Sequence, residues 1–163
     1  MKRVLRTVVP TAAIAATVVV LVGAVSATGK QPSHPRHHGH GAKAITVIEH
    51  ATTDATTDTG NPGDTAGDIL TFANEVFDAD DKTKIGTDQG HCIRTVPGKT
   101  WECFWTLTLD KGQITVEGPF NDTGDSLFAI TGGTGEFAGA QGEMALSAYG
   151  TKGDAYTFIY KVK

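Results

Sequence analysis

The chain has 163 residues, 39 % of them hydrophobic and 20 % charged, enough for one domain with a single hydrophobic core. All 18 acidic residues lie in 44–163 with 8 of the 14 basic ones, so that region has a formal charge of −10. Such a surface repels nucleic acid and anionic lipid headgroups, which argues against both as partners.

The chain opens with the basic residues Lys2, Arg3 and Arg6, an apolar run from Ala12 to Val25, and the small residues Ser26, Ala27 and Thr28. That pattern is expected of a secretory signal peptide over 1–27 and an extracellular location. The run is short for a membrane span, which takes about 20 residues, so no stable membrane insertion is expected after cleavage. Residues 28–43 read as a linker rich in His, Pro and Gly, with Pro32, Pro35, His34, His37, His38 and His40. Clustered histidines can ligate metals, but nothing nearby predicts the ordered backbone a defined site needs, so no metal or cofactor is expected.

From residue 44 onward the apolar pattern alternates with period two and shows no sustained helical period. Eight strands are predicted, at 44–50, 67–77, 85–95, 100–109, 113–120, 125–131, 141–149 and 154–162. Turn chemistry separates them, as at Pro97-Gly98, Asp110-Lys-Gly112 and Asn121-Asp122. The acidic run Asp78–Asp81 lacks the EF-hand pattern and reads as another turn. Short connections predict an antiparallel meander, either an eight-stranded β-barrel or a two-sheet sandwich. The glycines at 132, 133, 135 and 139 do not have dinucleotide-loop spacing, and no helix pattern follows them, so this segment reads as a turn.

Alternation also sorts side chains by face. Glu49 shares a face with Ile45 and Val47, and Asn74 with Leu70, Phe72 and Val76. Trp105 lies with Trp101, Cys103 and Leu107, and Tyr156 with Phe158 and Tyr160. Inward-facing Glu49 and Asn74 would be polar groups in an apolar interior, the composition of a small-molecule pocket. Glu49 could instead face water at a rim, or form a buried pair with Arg94. Cys92 and Cys103 are symmetric about Pro97-Gly98 and so face each other across a hairpin. In an oxidising compartment they are expected to form a disulfide.

Several ordered stretches carry a resemblance: Gly67-Asp-Ile-Leu-Thr-Phe-Ala-Asn-Glu-Val-Phe77, Gly86-Thr-Asp-Gln-Gly-His-Cys92, Ile114-Thr-Val-Glu-Gly-Pro-Phe120, Phe128-Ala-Ile-Thr-Gly-Gly-Thr-Gly135 and Phe137-Ala-Gly-Ala-Gln-Gly142. Together they resemble the allene oxide cyclase family, as a secreted, bacterial-type member, and Gly153-Asp-Ala-Tyr156 resembles the related dirigent proteins. The resemblance covers roughly 44–163. It implies an eight-stranded antiparallel barrel with a pocket, often assembled as a homotrimer. It also implies a role in closing or steering an apolar or phenolic small molecule. By position Glu49 and Asn74 resemble the family's pocket glutamate and asparagine and are the catalytic candidates. Phe120 and Cys92 resemble its pocket aromatic and cysteine, and join Trp105 and Tyr156 as ligand-lining candidates. Ala51 departs from the plant cyclases, which carry Asn there. Two other roles fit the same barrel, a non-catalytic lipocalin-like carrier and a wall-associated structural domain.

Overall fold

A computed structural model describes residues 43–163; the signal-peptide and linker expectations lie outside these residues. Nine strands form: β1 Lys43–His50, β2 Ala55–Thr57, β3 Ile69–Phe77, β4 Lys84–Val96, β5 Thr100–Leu109, β6 Gly112–Asn121, β7 Ser126–Gly133, β8 Gly142–Ala148 and β9 Ala155–Val162. The order is β1-β9-β8-β7-β6-β5-β4-β3, every neighbouring pair is antiparallel, and β1 pairs again with β3. The sheet therefore closes into an eight-stranded barrel, not a sandwich, and closure removes the exposed edges an open sheet would keep.

The eight predicted strands all form. The ninth, β2, was not predicted. Its three residues are all exposed, so no apolar alternation marks them. It forms because β3 outruns β1. His50 pairs with Glu75, and Ala55 then pairs with Thr71, so β2 continues the line of β1 along β3 after a one-residue slip. The intervening residues 51–54 bulge, and that bulge reaches the candidate site described below.

The predicted glycine turn after β7 is also present, with a short 3-10 turn at Gly135–Phe137. Gly135 has φ 61°, and a Cβ there would overlap the Lys111 carbonyl oxygen. Only glycine fits this close crossing without strain.

The inward faces meet around Trp105. Its ring packs on Phe128 at 4.4 Å, Phe158 at 5.6 Å and Phe72 at 6.0 Å between centroids. These rings come from β5, β7, β9 and β3, so they touch through the barrel interior. Gly90 pairs with Trp105, and a Cβ at Gly90 would collide with the Phe104 carbonyl oxygen and with Trp105 Cβ, so the missing side chain lets the two strands approach closely there. Burying such aromatic and aliphatic side chains stabilises the fold by roughly 1.5–3 kcal/mol each.

Cys92 and Cys103 pair across β4 and β5 and are joined by a disulfide, as expected. The bond closes a short loop around the Pro97-Gly98 turn. Replacing both cysteines by serine is expected to cost up to about 3 kcal/mol, read from the denaturant midpoint at constant pH. An unchanged midpoint would show that the register of the hairpin alone holds this end of the barrel.

Candidate active site at the barrel mouth

One end of the barrel is built from the end of β1, the start of β3, the ends of β4 and β6, and the starts of β5 and β9. The bulge after β1 folds over it. Glu49 projects inward from β1 and is buried. Asn74 projects inward from β3 and is fully buried. Its amide nitrogen donates to Glu49 Oε1 at 2.6 Å and to Asp54 Oδ1 at 2.8 Å. Its oxygen accepts from the Thr53 backbone N–H at 3.0 Å and the Thr53 hydroxyl at 2.8 Å. Thr53 Oγ1 in turn accepts from the Ala73 N–H at 2.8 Å. Both hydrogens and both lone pairs of the Asn74 amide are thus engaged, which fixes its orientation and holds the two carboxyl groups on either side of it.

These acids differ in environment. Asp54 is exposed at the rim. Glu49 is pushed up from 4.5 to about 7, chiefly by burial; the Asn74 hydrogen bond opposes the shift and the Asp54 charge adds to it. Asp88 on β4 pairs with Asn74 in register and is also fully buried. Burial, then the neighbouring Glu49 and Asp54 charges, push its carboxyl up to about 9; the backbone N–H groups of Asp88 and Asn74 lie near enough to oppose the shift without reaching full hydrogen-bond geometry. At neutral pH Asp88 therefore keeps its proton, while Glu49 sits near half-titration. A carboxyl poised there can take and return a proton with little penalty in either direction.

Above Glu49 the wall is aromatic and only partly buried. Tyr156 pairs with Glu49 in register, and its ring meets that of Phe120 edge-on at 6.0 Å. β6 and β9 are separated by β7 and β8, so this contact crosses the mouth of the barrel. Burial, then the charges of Glu49 and Asp54, hold the Tyr156 hydroxyl above its ordinary range. Leu70 and Phe72 line the same end, half-buried.

The structure brings Glu49, Asn74 and Tyr156 together, with Phe120 across the mouth from Tyr156. Trp105 lies deeper, inside the packed middle of the barrel. Cys92 faces the interior as one half of the disulfide, so it contributes wall and no thiol. The alternative pairing of Glu49 with Arg94 is not present. Arg94 is inward-facing, but its guanidinium lies 4.0 Å over the Trp101 ring and pairs with Asp64 and Asp122. Those partners come from the 58–68 loop and the turn after β6, and the Asp122 N–H donates to the Lys99 carbonyl at the tip of the β4–β5 hairpin. Asp64 also accepts from the Gly98 N–H at 2.6 Å, tying that loop to the hairpin turn.

Three functional candidates were not singled out from sequence. Asp88 lies four residues before Cys92 in one strand, so parity alone puts it on the inner face. Thr53 and Asp54 lie in the bulge, where no periodicity applies. They supply polar contacts near Ala51, the position at which the chain departs from the plant cyclases.

A hollow with a volume of about 480 Å³ opens among His50, Asp81, Tyr149, Lys152 and Asp154. It does not include Glu49, Asn74 or Asp88. His50 there bonds Asp81 at 2.7 Å and stacks on Phe77, which clips the β3–β4 turn to β1. The interior carboxyls, perturbed by burial and fixed by hydrogen bonds, are the stronger candidates for chemistry.

Among solved structures the chain is similar to a pyocyanin demethylase, at 30 % identity and TM-score 0.64 over 74 % of this chain and 100 % of that one. Two more distant structures share the fold. A pterocarpan synthase dirigent protein matches at 12 % identity and TM-score 0.62 over 76 % of this chain and 94 % of that one. A Diels–Alderase from Streptomyces koyangensis matches at 17 % identity and TM-score 0.57 over 75 % of this chain and 68 % of that one. A sequence profile described as allene oxide cyclase matches residues 47–161, nearly the whole barrel. With the closed eight-stranded barrel, that match makes this chain a member of the allene oxide cyclase family.

Proposed function

We propose that this protein is secreted and binds an apolar or phenolic small molecule at the barrel mouth, where Glu49 moves a proton within it. The reaction class is a cyclisation or isomerisation, or dirigent-like steering of a reactive intermediate. The observation that carries this reading is Glu49 itself, a buried carboxyl poised near pH 7 and oriented by Asn74 beside partly exposed aromatic rings. The relatives support it: each is named for making or changing a small molecule.

In this reading Phe72, Phe120 and Tyr156 hold a flexible or planar ligand in one shape, which removes orientational freedom before reaction. The Glu49 carboxylate takes a proton from the ligand, the electron pair shifts through the conjugated system, and the proton returns at another atom. No co-reactant is consumed, so the step balances within the ligand. The rings of Trp105, Phe158 and Tyr160 fill the middle of the barrel, which argues against a lipocalin-like carrier that engulfs its whole ligand and confines the body of any ligand to the mouth.

Native mass spectrometry of the protein recovered from its own culture medium tests this reading. An added small-molecule mass that leaves on denaturation is expected, and it would supply the ligand to identify. No added mass, even after incubation with fatty-acid and phenolic mixtures, would overturn small-molecule binding and favour the structural role. The same spectra count the copies in the assembly, three being the expected number.

A further inference from the structure

The deep side of the site holds polar atoms that proton transfer by Glu49 does not use. Both carboxyl oxygens of Asp88, the indole N–H of Trp105 and the hydroxyl of Tyr160 are buried and lack a hydrogen-bond partner among the described residues. Asp88 and Tyr160 are 0 % exposed, and Trp105 is 2 % exposed. They arrive from β4, β9 and β5, and Tyr160 lies within reach of both the Asp88 charge and the Trp105 N–H. The Tyr160 hydroxyl is held far above its ordinary range by burial first and the Asp88 charge next. The Trp105 N–H faces that hydroxyl closely enough to oppose the shift, without reaching full hydrogen-bond geometry.

A buried polar group left unpaired is destabilising, and native interiors pair nearly all of theirs. The adjacent Asn74 shows the usual outcome, with every donor and acceptor used. Something absent from the polypeptide is therefore expected to complete the Asp88 group. The donor count says what it is. Trp105 can only donate, the Tyr160 hydroxyl carries one hydrogen, and a protonated Asp88 carries another. Glu49 and Asp54 nearby repel an anion. A small, neutral acceptor takes the hydrogens left over, a carbonyl oxygen up to two and a ring nitrogen one, while the remaining donor can turn to the oxygens of Asp88 or Tyr160.

We propose that Asp88, Trp105 and Tyr160 form the seat for a neutral hydrogen-bond acceptor of the ligand, a conjugated carbonyl oxygen or an aromatic ring nitrogen, whose apolar body lies toward Phe72, Phe120 and Tyr156. This rests on the mouth being a small-molecule site and names the class of molecule it takes. The chemistry follows from the same placement. When Glu49 removes a proton from the ligand, the electron pair moves into the conjugated acceptor, and the three donors stabilise the charge that builds there. When Glu49 returns the proton, that charge collapses.

Fluorene and 9-fluorenone test the seat, because they share one ring skeleton and differ by a carbonyl. Each is titrated into the folded protein. Binding is followed by tryptophan fluorescence and by NMR of the indole N–H signals of the 2 tryptophans, assigned with Trp101→Phe. 9-Fluorenone is expected to bind about tenfold more tightly than fluorene, the worth of roughly one net hydrogen bond. It is also expected to move the Trp105 N–H proton downfield, which fluorene does not do. Tyr160→Phe should shrink the preference several-fold. The wild-type NMR shift decides the matter even if that variant fails to fold. Equal affinities for the two probes, or bound 9-fluorenone with an unmoved Trp105 signal, would overturn the seat and leave the mouth as a small-molecule site. A water contact at the Trp105 N–H that persists with 9-fluorenone bound would overturn it too, in favour of a sealed structural water. Binding of neither probe would overturn the seat together with the proposed function.

Discussion

Asp88→Asn is expected to stabilise the protein at alkaline pH and to leave its stability nearly unchanged near pH 4. In the folded state the Asp88 carboxyl is raised from 3.8 to about 9, mainly by burial and then by Glu49 and Asp54. Below the unfolded value both states hold the proton, and the stability linked to this group is fully present. As pH rises from about 4 to 9, the unfolded chain releases the proton while the folded chain keeps it, so folding becomes progressively less favourable. Above about 9 the folded carboxyl ionises too, and the loss is complete. Glu49 adds a smaller loss of the same sign between 4.5 and about 7. The side chain at 88 is fully buried, so solvent does not screen the effect, and the Asp88 share is on the order of several kcal/mol by pH 9. Asparagine has nearly the same shape and does not titrate. Denaturant midpoints of wild type and Asp88→Asn at pH 4, 7 and 9 should diverge with pH. Parallel curves would show that Asp88 is ionised and solvated in the folded protein.

Glu49→Gln is expected to lower turnover by about 10²–10⁴-fold while ligand binding is largely retained. Glutamine keeps an oxygen that can accept from Asn74, so the orientation given by that 2.6 Å contact survives and only the proton chemistry is lost. Under the proposed function the carboxylate is the active form. The rate constant kcat/KM should therefore rise with pH through about 7, where Glu49 loses its proton. The assay is conversion of the ligand recovered from the native protein, followed from pH 5 to 9. A variant that turns over at the wild-type rate, or a wild-type profile flat through pH 7, would remove Glu49 as the proton-transfer group. Equal loss of binding and turnover would instead make it a plain binding residue.

The fold was largely legible before the structure because a β-strand encodes its two faces in strict alternation, and turn residues mark its ends. The eight barrel strands follow from that rule, and so does the inward direction of Glu49, Asn74 and Trp105. The disulfide was legible for a related reason: a tight turn at Pro97-Gly98 fixes the hairpin register, and register places Cys92 opposite Cys103. These are short-range consequences of the chain's own geometry.

What only the tertiary structure decided is which inward groups meet. Asn74 reaches Glu49 across 25 residues of sequence, and Thr53 reaches Asn74 across 21. Both contacts depend on β1 closing onto β3, with the 51–54 bulge laid beside it, and alternation carries no signal for that bulge. β2 pairs with the free start of β3, although all three residues of Ala55–Thr57 are exposed and bury no apolar face. Arg94 shares an inward face with Asp88 yet pairs with Asp64 and Asp122, because the 58–68 loop and the turn after β6 close over its end of the barrel. Parity could place Asp88, Trp105 and Tyr160 inside. Their lack of partners, with Tyr160 within reach of both Asp88 and Trp105, comes from strand order around the closed barrel, since a strand's own sequence sets its faces but not which distant strand supplies the other half of a hydrogen bond.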